Sequence, residues 1–222
     1  MTTKTVRSRG RPRGFDPEAA VSTGKRLFLE QGYDAVGIAA VTEALGIKPP
    51  SFYAAFGSKA AFFTQVLARY SSEDGVPLDQ LLRADRPVAE SLAAVLLDAA
   101  HRYAADKDAR GCMVLEGLGA DDPEARSAAA ACQAKAEDTI RRFVSDRHPE
   151  HADRLTDFVS TTMAGLSARA RQGLSAERLA TVATLAGEAI AQALAAPATH
   201  APTTKAARRS PGATGSGSRA RR

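Results

Sequence analysis

The stretch Ala44-Leu45-Gly46-Ile47-Lys48-Pro49-Pro50-Ser51-Phe52-Tyr53-Ala54-Ala55-Phe56-Gly57-Ser58-Lys59 decides how this chain is read. One apolar helical periodicity stops at Gly46. A segment of barely two turns, Pro49 to Phe56, then sets Phe52 and Phe56 at i, i+4 spacing, and another periodicity opens past Gly57. Short helices joined by a glycine turn form a helix-turn-helix, whose later helix enters the major groove while the earlier one braces the DNA backbone. Phe52 and Phe56 should point back into a small three-helix core. Lys48, Ser51, Tyr53 and Lys59 fall near the groove edge, where each can donate to a phosphate or a base edge.

Working outward, Asp16-Pro17 opens a first helix, with a capping side chain followed by proline at the first helical position. Its inner face is Ala20, Gly24, Leu27 and Phe28, and Gly32 ends it. A second helix sets Ile38, Val41 and Leu45 on one side. A fourth starts near Ser58, buries Phe62, Phe63, Val66, Leu67 and Tyr70, and breaks at Ser71 to Pro77. Helical spacing returns over 88–104 with Val88, Leu92, Val95, Leu96, Ala99 and Tyr103. Gly111, Gly117 and Gly119 interrupt the next stretch. Asp122-Pro123 opens a helix carrying Cys132, Ala136, Ile140 and Phe143. Leu155, Phe158, Val159, Thr162 and Leu166 stripe the next, which closes at Gly173. Ser175 caps the last, with Leu179, Val182, Ala183, Ala186 and Ile190 inward. With no repeat and no convincing strand, the chain reads as all-α.

The formal charge of +5 on 222 residues is unevenly placed. Residues 1–14 carry Lys4, Arg7, Arg9, Arg11 and Arg13; residues 198–222 carry Lys205, Arg208, Arg209, Arg219, Arg221 and Arg222; neither tail holds an acid. Those eleven charges against a total of +5 leave residues 15–197 at −6. Affinity for DNA should therefore rest on a few localised contacts and depend steeply on salt. The organisation expected is a disordered basic arm at 1–14, a helix-turn-helix domain at 15–58, a helical domain at 59–197 and a low-complexity basic tail at 198–222. The arm's Arg9-Gly10-Arg11-Pro12-Arg13 resembles an AT-hook core, in which alternating arginines on extended backbone fit a narrow minor groove. The alternative is a basic leader that only raises nonspecific affinity.

Other chemistry is thin. Two cysteines, Cys112 and Cys132, suit a reducing compartment better than a disulfide scaffold, and no apolar run approaches a membrane span, so a cytoplasmic, nucleoid-associated location is expected. Cys112 follows Gly111 at a helix start, where a thiolate could be favoured, though a buried small hydrophobe is the default; Cys132 reads as more firmly core. His148 and His151 are split by Pro149 and lack a third ligand, so they read as a solvated turn rather than a metal site. With no nucleophile–base pairing and no phosphate-cradling loop, an enzyme is not expected, and no metal or cofactor is called for.

Over residues 15–70 the chain resembles the TetR/AcrR family of one-component repressors. Leu27-Phe28, Gly32-Tyr33, Leu45-Gly46-Ile47, Phe52-Tyr53-Ala54-Ala55-Phe56 and Ser58-Lys59 stand at family spacing, and past residue 75 only the helical order matches. The resemblance implies nine or ten helices, with an N-terminal helix-turn-helix module and a C-terminal helical effector and dimerisation domain. It also implies a homodimer on a palindromic double-stranded operator, a small-molecule effector that releases the DNA, and DNA contacts from Ser51, Tyr53 and Lys59. Two departures stand out. Val36-Gly37 replaces the usual Thr-Ser, losing a hydroxyl and a cap, and Lys48-Pro49-Pro50 opens the recognition helix with few donors. That edge should read bases by apolar contact and through Ser51, shifting weight to the arm. A hydrophobic or aromatic effector is expected, and Met113, Glu116, Phe158, Thr162 and Met163 read either as lining its pocket, since bundle pockets mix apolar walls with sparse polar groups, or as plain core. Small residues at Ala164-Gly165 and Ala186-Gly187 would let a partner chain's helix approach the last two helices, or equally serve as an intramolecular packing surface. The competing class is an architectural DNA-binding protein without an effector.

Overall fold

The structure, a computed structural model, describes residues 16–196. Arg9, Arg11 and Arg13, like the basic C-terminal tail, lie outside the described residues.

The first helix, α1 (Pro17–Gln31), starts where the Asp16 carboxylate accepts the Glu18 N–H at 3.0 Å and ends where the Gly32 N–H returns to the Phe28 carbonyl at 2.9 Å. Two short helices come next, α2 (Ile38–Ala44) and α3 (Pro49–Phe56). Between them Gly46 takes φ +63°, a left-handed conformation that favours glycine, so the turn closes with the Ile47 N–H on the Thr42 carbonyl at 3.0 Å. Neither helix has a side-chain cap: Gly37 and Lys48 stand at those positions. In contrast, Ser58 caps α4 (Lys59–Glu73) by accepting the Ala61 N–H at 2.9 Å.

One ring holds these helices together. Phe62 of α4 lies 4.5 Å from Phe56, 5.3 Å from Phe52 and 6.1 Å from Phe28, centroid to centroid, and all four are buried. Helix α1 comes this near only because Gly24 lacks a side chain: a Cβ there would sit 2.5 Å from the Phe62 ring. The start of α4 thus closes the DNA-binding core, while its later turns pack against α8 (Pro123–Ser145). Lys25 pairs with Glu73 and Asp74, and Arg69 with Glu18 and Glu73, lacing α1 to the end of α4. Pairs this exposed are screened by water and add little to stability.

Beyond α4 come α5 (Leu78–Leu81), α6 (Val88–Ala104), α7 (Met113–Gly117), the long α8, a 3-10 turn Pro149–His151, then α9 (Ala152–Arg171) and α10 (Ala176–Ala195). The described residues are all-α, with ten α-helices. Helix α6 is the spine of this half, packing on α9 and α10, while α8 lies against α4, α7 and α9.

Several expectations are corrected. Helix α4 runs to Glu73, past the expected break at Ser71, because its last turn is held by the Lys25 and Arg69 pairs. Helices α5 and α7 are too short for a periodicity to reveal. On α8 the buried residues are Ala125, Ala129, Ile140 and Val144, so the face is set by alanines meeting neighbouring helices. Cys132 is only half-buried, and Cys112 is the buried thiol. Phe158 of α9 and Val182 of α10 face outward, not inward. Ala186 and Gly187 are buried: a Cβ at Gly187 would lie 2.8 Å from that of Ala93 on α6, so this face serves the chain's own packing. His151 is buried rather than solvated, with the Arg154 guanidinium on its Nδ1 at 3.1 Å.

Candidate nucleic-acid interface and effector cavity

Helix α3 divides cleanly. Phe52 and Phe56 are buried, whereas Lys48, Pro49, Pro50, Ser51, Tyr53, Ala54 and Ala55 are exposed along one side. Tyr53 is 50% exposed, and its ring stands edge-on to Phe52 at 5.6 Å, so the phenol is braced at its base and free at its tip. The face therefore offers one lysine, one serine and one tyrosine hydroxyl on a surface of proline and alanine. That is a sparse donor set for phosphates and base edges, with apolar surface able to meet thymine methyls.

Lys59 lies elsewhere. Its ammonium sits 4.0 Å from the centroid of the Tyr33 ring, the position of a cation–π contact. Tyr33 is buried in the turn between α1 and α2, with its ring 4.8 Å from Phe63 and stacked on Phe28 at 5.8 Å. Its hydroxyl donates to Asp122 Oδ2 at 2.6 Å, and the remaining Asp122 oxygen caps α8 through the N–H groups of Glu124 and Ala125. Beside it the Asp34 carboxylate accepts the Asp121 N–H at 3.1 and 3.2 Å. The DNA-binding half is thus fastened to the start of α8 through one turn. Electrostatics accord with the geometry. Burial and the Asp122 charge push the Tyr33 phenol up, while the Tyr33 hydroxyl holds the Asp122 carboxyl below the usual carboxylate range. Desolvation lowers Lys59, with Asp34 and Asp122 opposing it. Glu116 of α7 is pushed up by burial, with Arg171 pulling the other way, and takes the Tyr33 backbone N–H.

A cleft of about 770 Å³ lies between the end of α4 and helices α5 to α9. Its walls include Tyr70, Tyr103, Val114, Leu115, Ile140 and Met163, together with both cysteines. Cys112 is fixed by its N–H on Ser167 Oγ at 2.9 Å, and its thiol meets the Tyr70 and Tyr103 hydroxyls. Burial and this thiol push both phenols well up, so they remain neutral. Glu73, Asp79, Arg102 and Lys135 also line the cleft, and one polar cluster is tied together in the wall: Glu137 Oε1 accepts Gln133 Nε2 at 2.7 Å and Ser160 Oγ at 2.5 Å. A smaller crevice of about 280 Å³ beside α1 is lined by the already paired Lys25, Asp74 and Arg102. The larger cleft is the candidate ligand site. Of the five residues expected there from sequence, Met163 alone lines it. Met113 is fully buried, Glu116 turns to Tyr33, Phe158 faces outward, and the Thr162 hydroxyl is spent on the Phe158 carbonyl at 2.7 Å. On α9 Leu155, Val159 and Leu166 of the expected stripe are buried, while Phe158 at its edge faces outward.

Residues 20–66 match the family described as bacterial regulatory proteins, tetR family. Across 190 residues, 86% of this chain and 96% of the other, the sequence is 52% identical to the HTH-type transcriptional repressor BdcR of Escherichia coli (strain K12). The chain belongs to the tetR family. A second relative, the HTH-type transcriptional repressor ComR of the same organism, is 31% identical over 80% of this chain and 90% of its own length. Among solved structures, the TetR family regulator CifR, complexed with a 26-base-pair double-strand operator DNA, superposes with a TM-score of 0.72. It is 32% identical to this chain, covering 81% of it and 99% of CifR. This tetR-family chain is a DNA-binding transcriptional regulator and not an enzyme. No helix among the described residues is long and apolar enough to cross a membrane.

Sequence reading missed the part Tyr33 plays, because a tyrosine at a helix end looks like core until the distant Asp122 is brought to it. The Gln133–Glu137 pair left a fainter signal: two polar residues at i, i+4 spacing, flanked by the apolar Cys132, Ala136 and Ile140.

Proposed function

We propose that this regulator is a dimeric repressor that holds a palindromic operator through α3 and is released when a small apolar molecule fills the α4–α9 cleft. It acts in the cytoplasm, on nucleoid DNA. The observation that carries the reading is the two-sided α3, with an aromatic core behind and the exposed side of 48–55 in front. Lys48, Pro49, Pro50, Ser51 and Tyr53 form the groove face, Lys59 reaches a phosphate, and Arg9, Arg11 and Arg13 extend the contact into the adjacent minor groove. The boundary between the two working parts falls at 58/59 in backbone connectivity, with Phe62 lent to the first.

Titration against a half-site library tests this. Tyr53→Phe should weaken binding to all sequences about equally, whereas Ser51→Ala should blur preference at one base position. A uniform loss for both would reduce Ser51 to a phosphate contact. Footprinting separates the alternative class, since diffuse protection in place of a discrete palindrome would make the protein architectural.

The second copy docks on the outer side of α9 and α10. Among the described residues the exposed large hydrophobics are Tyr53, Phe158, Val182 and Leu185, and all but Tyr53 lie on this helix pair. Gly165 of α9 leaves open space where a side chain would be. Such a patch on an antiparallel pair suits a two-fold, self-complementary contact.

The effector is an apolar or aromatic molecule carrying one hydrogen-bond donor, because Glu137 is the carboxylate held in the cleft by neutral partners. Its binding must favour a DNA-incompetent arrangement. Two levers connect the cleft to α3: Tyr70 lies on the same helix as Phe62, and α8 runs from the cleft wall to Asp122 and Tyr33. A thermal-shift screen of small aromatic amines and alcohols should find stabilisers that also lower operator affinity. Glu137→Gln should weaken them roughly tenfold or more, as expected for a hydrogen bond to a charged group. Stabilisation without loss of operator binding would reject the coupling.

A further inference from the structure

We propose that Asp34 and Asp122 compete with operator phosphate for the ammonium of Lys59, so that these two carboxylates set how tightly each protomer grips DNA. The inference rests on Lys59 being a phosphate contact.

Lys59 opens α4 immediately after the recognition helix and Gly57-Ser58, where its four-carbon stem can swing to either side. In this structure it has swung inward, to 4.0 Å from the Tyr33 centroid. Tyr33 cannot follow it outward, because the ring is buried between Phe28 and Phe63 and its hydroxyl is tied to Asp122. The carboxylates are equally fixed. Asp122 is pinned by Tyr33 and two α8 N–H groups, and Asp34 by the Asp121 N–H. Both act on the ammonium through space while it is partly withdrawn from water. Burial disfavours the ammonium at this site, and the negative ring face with the two carboxylates beyond it offsets that cost and keeps Lys59 inward. DNA must therefore draw Lys59 off a preformed internal site, and that reduces its net worth as a contact. A cation–π contact of this exposure corresponds to a factor of about two to five per site, before the carboxylates add to it.

The test is a mutant cycle on the full-length chain with an operator duplex selected on the wild type. Asp34→Asn and Asp122→Asn remove charge while keeping an oxygen acceptor for the Asp121, Glu124 and Ala125 N–H groups; in Asp122→Asn the amide NH2 faces the Tyr33 hydroxyl, which then accepts instead of donating. Lys59→Met keeps the stem against Tyr33 and removes the cation. Expected are an affinity gain of about fivefold or more in the double amide variant, and a log–log salt slope steeper by about one unit per recovered contact. The Lys59→Met variant should lose that gain, costing clearly more in the amide background than in the wild-type one. Equal losses in both backgrounds would leave Lys59 a DNA contact and overturn the competition. A gain that survives Lys59→Met would overturn it too, by showing that the acids merely repel DNA. No loss in either background would remove Lys59 from the interface, and both readings with it. Thermal melting accompanies each variant; if Asp122→Asn loosens the start of α8, Asp34→Asn alone carries the cycle.

Discussion

Leu185→Arg combined with Val182→Arg is expected to convert a dimer into a folded monomer and to lower operator affinity by two orders of magnitude or more. Leu185 is 60% exposed and Val182 45%, so arginine at either site meets water in the isolated chain and leaves the bundle intact. In a dimer the same positions are covered, and two facing guanidinium groups would be buried without partners. The loss at DNA comes from the linkage of two half-site readers. In a dimer the second half-site binds at high effective concentration, which raises avidity about 10²- to 10⁴-fold over either reader alone. Sedimentation velocity, melting and operator titration check the three parts separately. Ala186→Arg is the contrasting variant. Because Ala186 faces the chain's own packing, arginine there should lower the melting temperature before it touches assembly. A double arginine variant that still sediments as a dimer would move the interface off α9 and α10.

Phe62→Ala is expected to be the most damaging single truncation in the DNA-binding half. The ring is fully buried, it contacts Phe28, Phe52 and Phe56, and it fills the space opened by Gly24. Removing a buried phenylalanine costs about 3–5 kcal/mol in lost transfer energy and cavity. For a chain of this size that is a fall in melting temperature of roughly 6–20 °C. Since α4 also packs on α8, the loss should appear in one cooperative transition monitored by calorimetry. A shift below about 1 kcal/mol, or a separate low-temperature transition for residues 16–58, would mean that α4 does not couple the two parts.

The recognition helix was legible from sequence because everything that makes it is local. Gly46 and Gly57 bound it, Phe52 and Phe56 give its inner face, and Ser51 and Tyr53 fall outside by default. The caps at Asp16, Ser58, Asp122 and Ser175 were legible for the same reason, since each acts within three residues of itself. Legibility failed where helices met. In α8 alanine is frequent, and alanine is compatible with either a packed or an open face, so periodicity could not fix which side of that helix is internal. On α10 the periodicity places Leu179, Ala183, Ala186 and Ile190 inward, as found, and the approach of α6 to Gly187 decided that Val182, at the edge of that face, stays outside.

By itself, then, the amino-acid sequence determined the all-α class, the capped helix starts, the helix-turn-helix and the residues it turns outward, because capping, turn formation and i, i+4 contacts are settled within a few residues. The tertiary structure alone decided that Lys59 meets Tyr33, that Tyr33 meets Asp122 across 89 positions, and that Tyr70, Glu137 and Met163 share one cleft. Those contacts join residues far apart in the chain. Which of them form depends on how whole helices rotate and stack, a property that no single stretch of sequence carries.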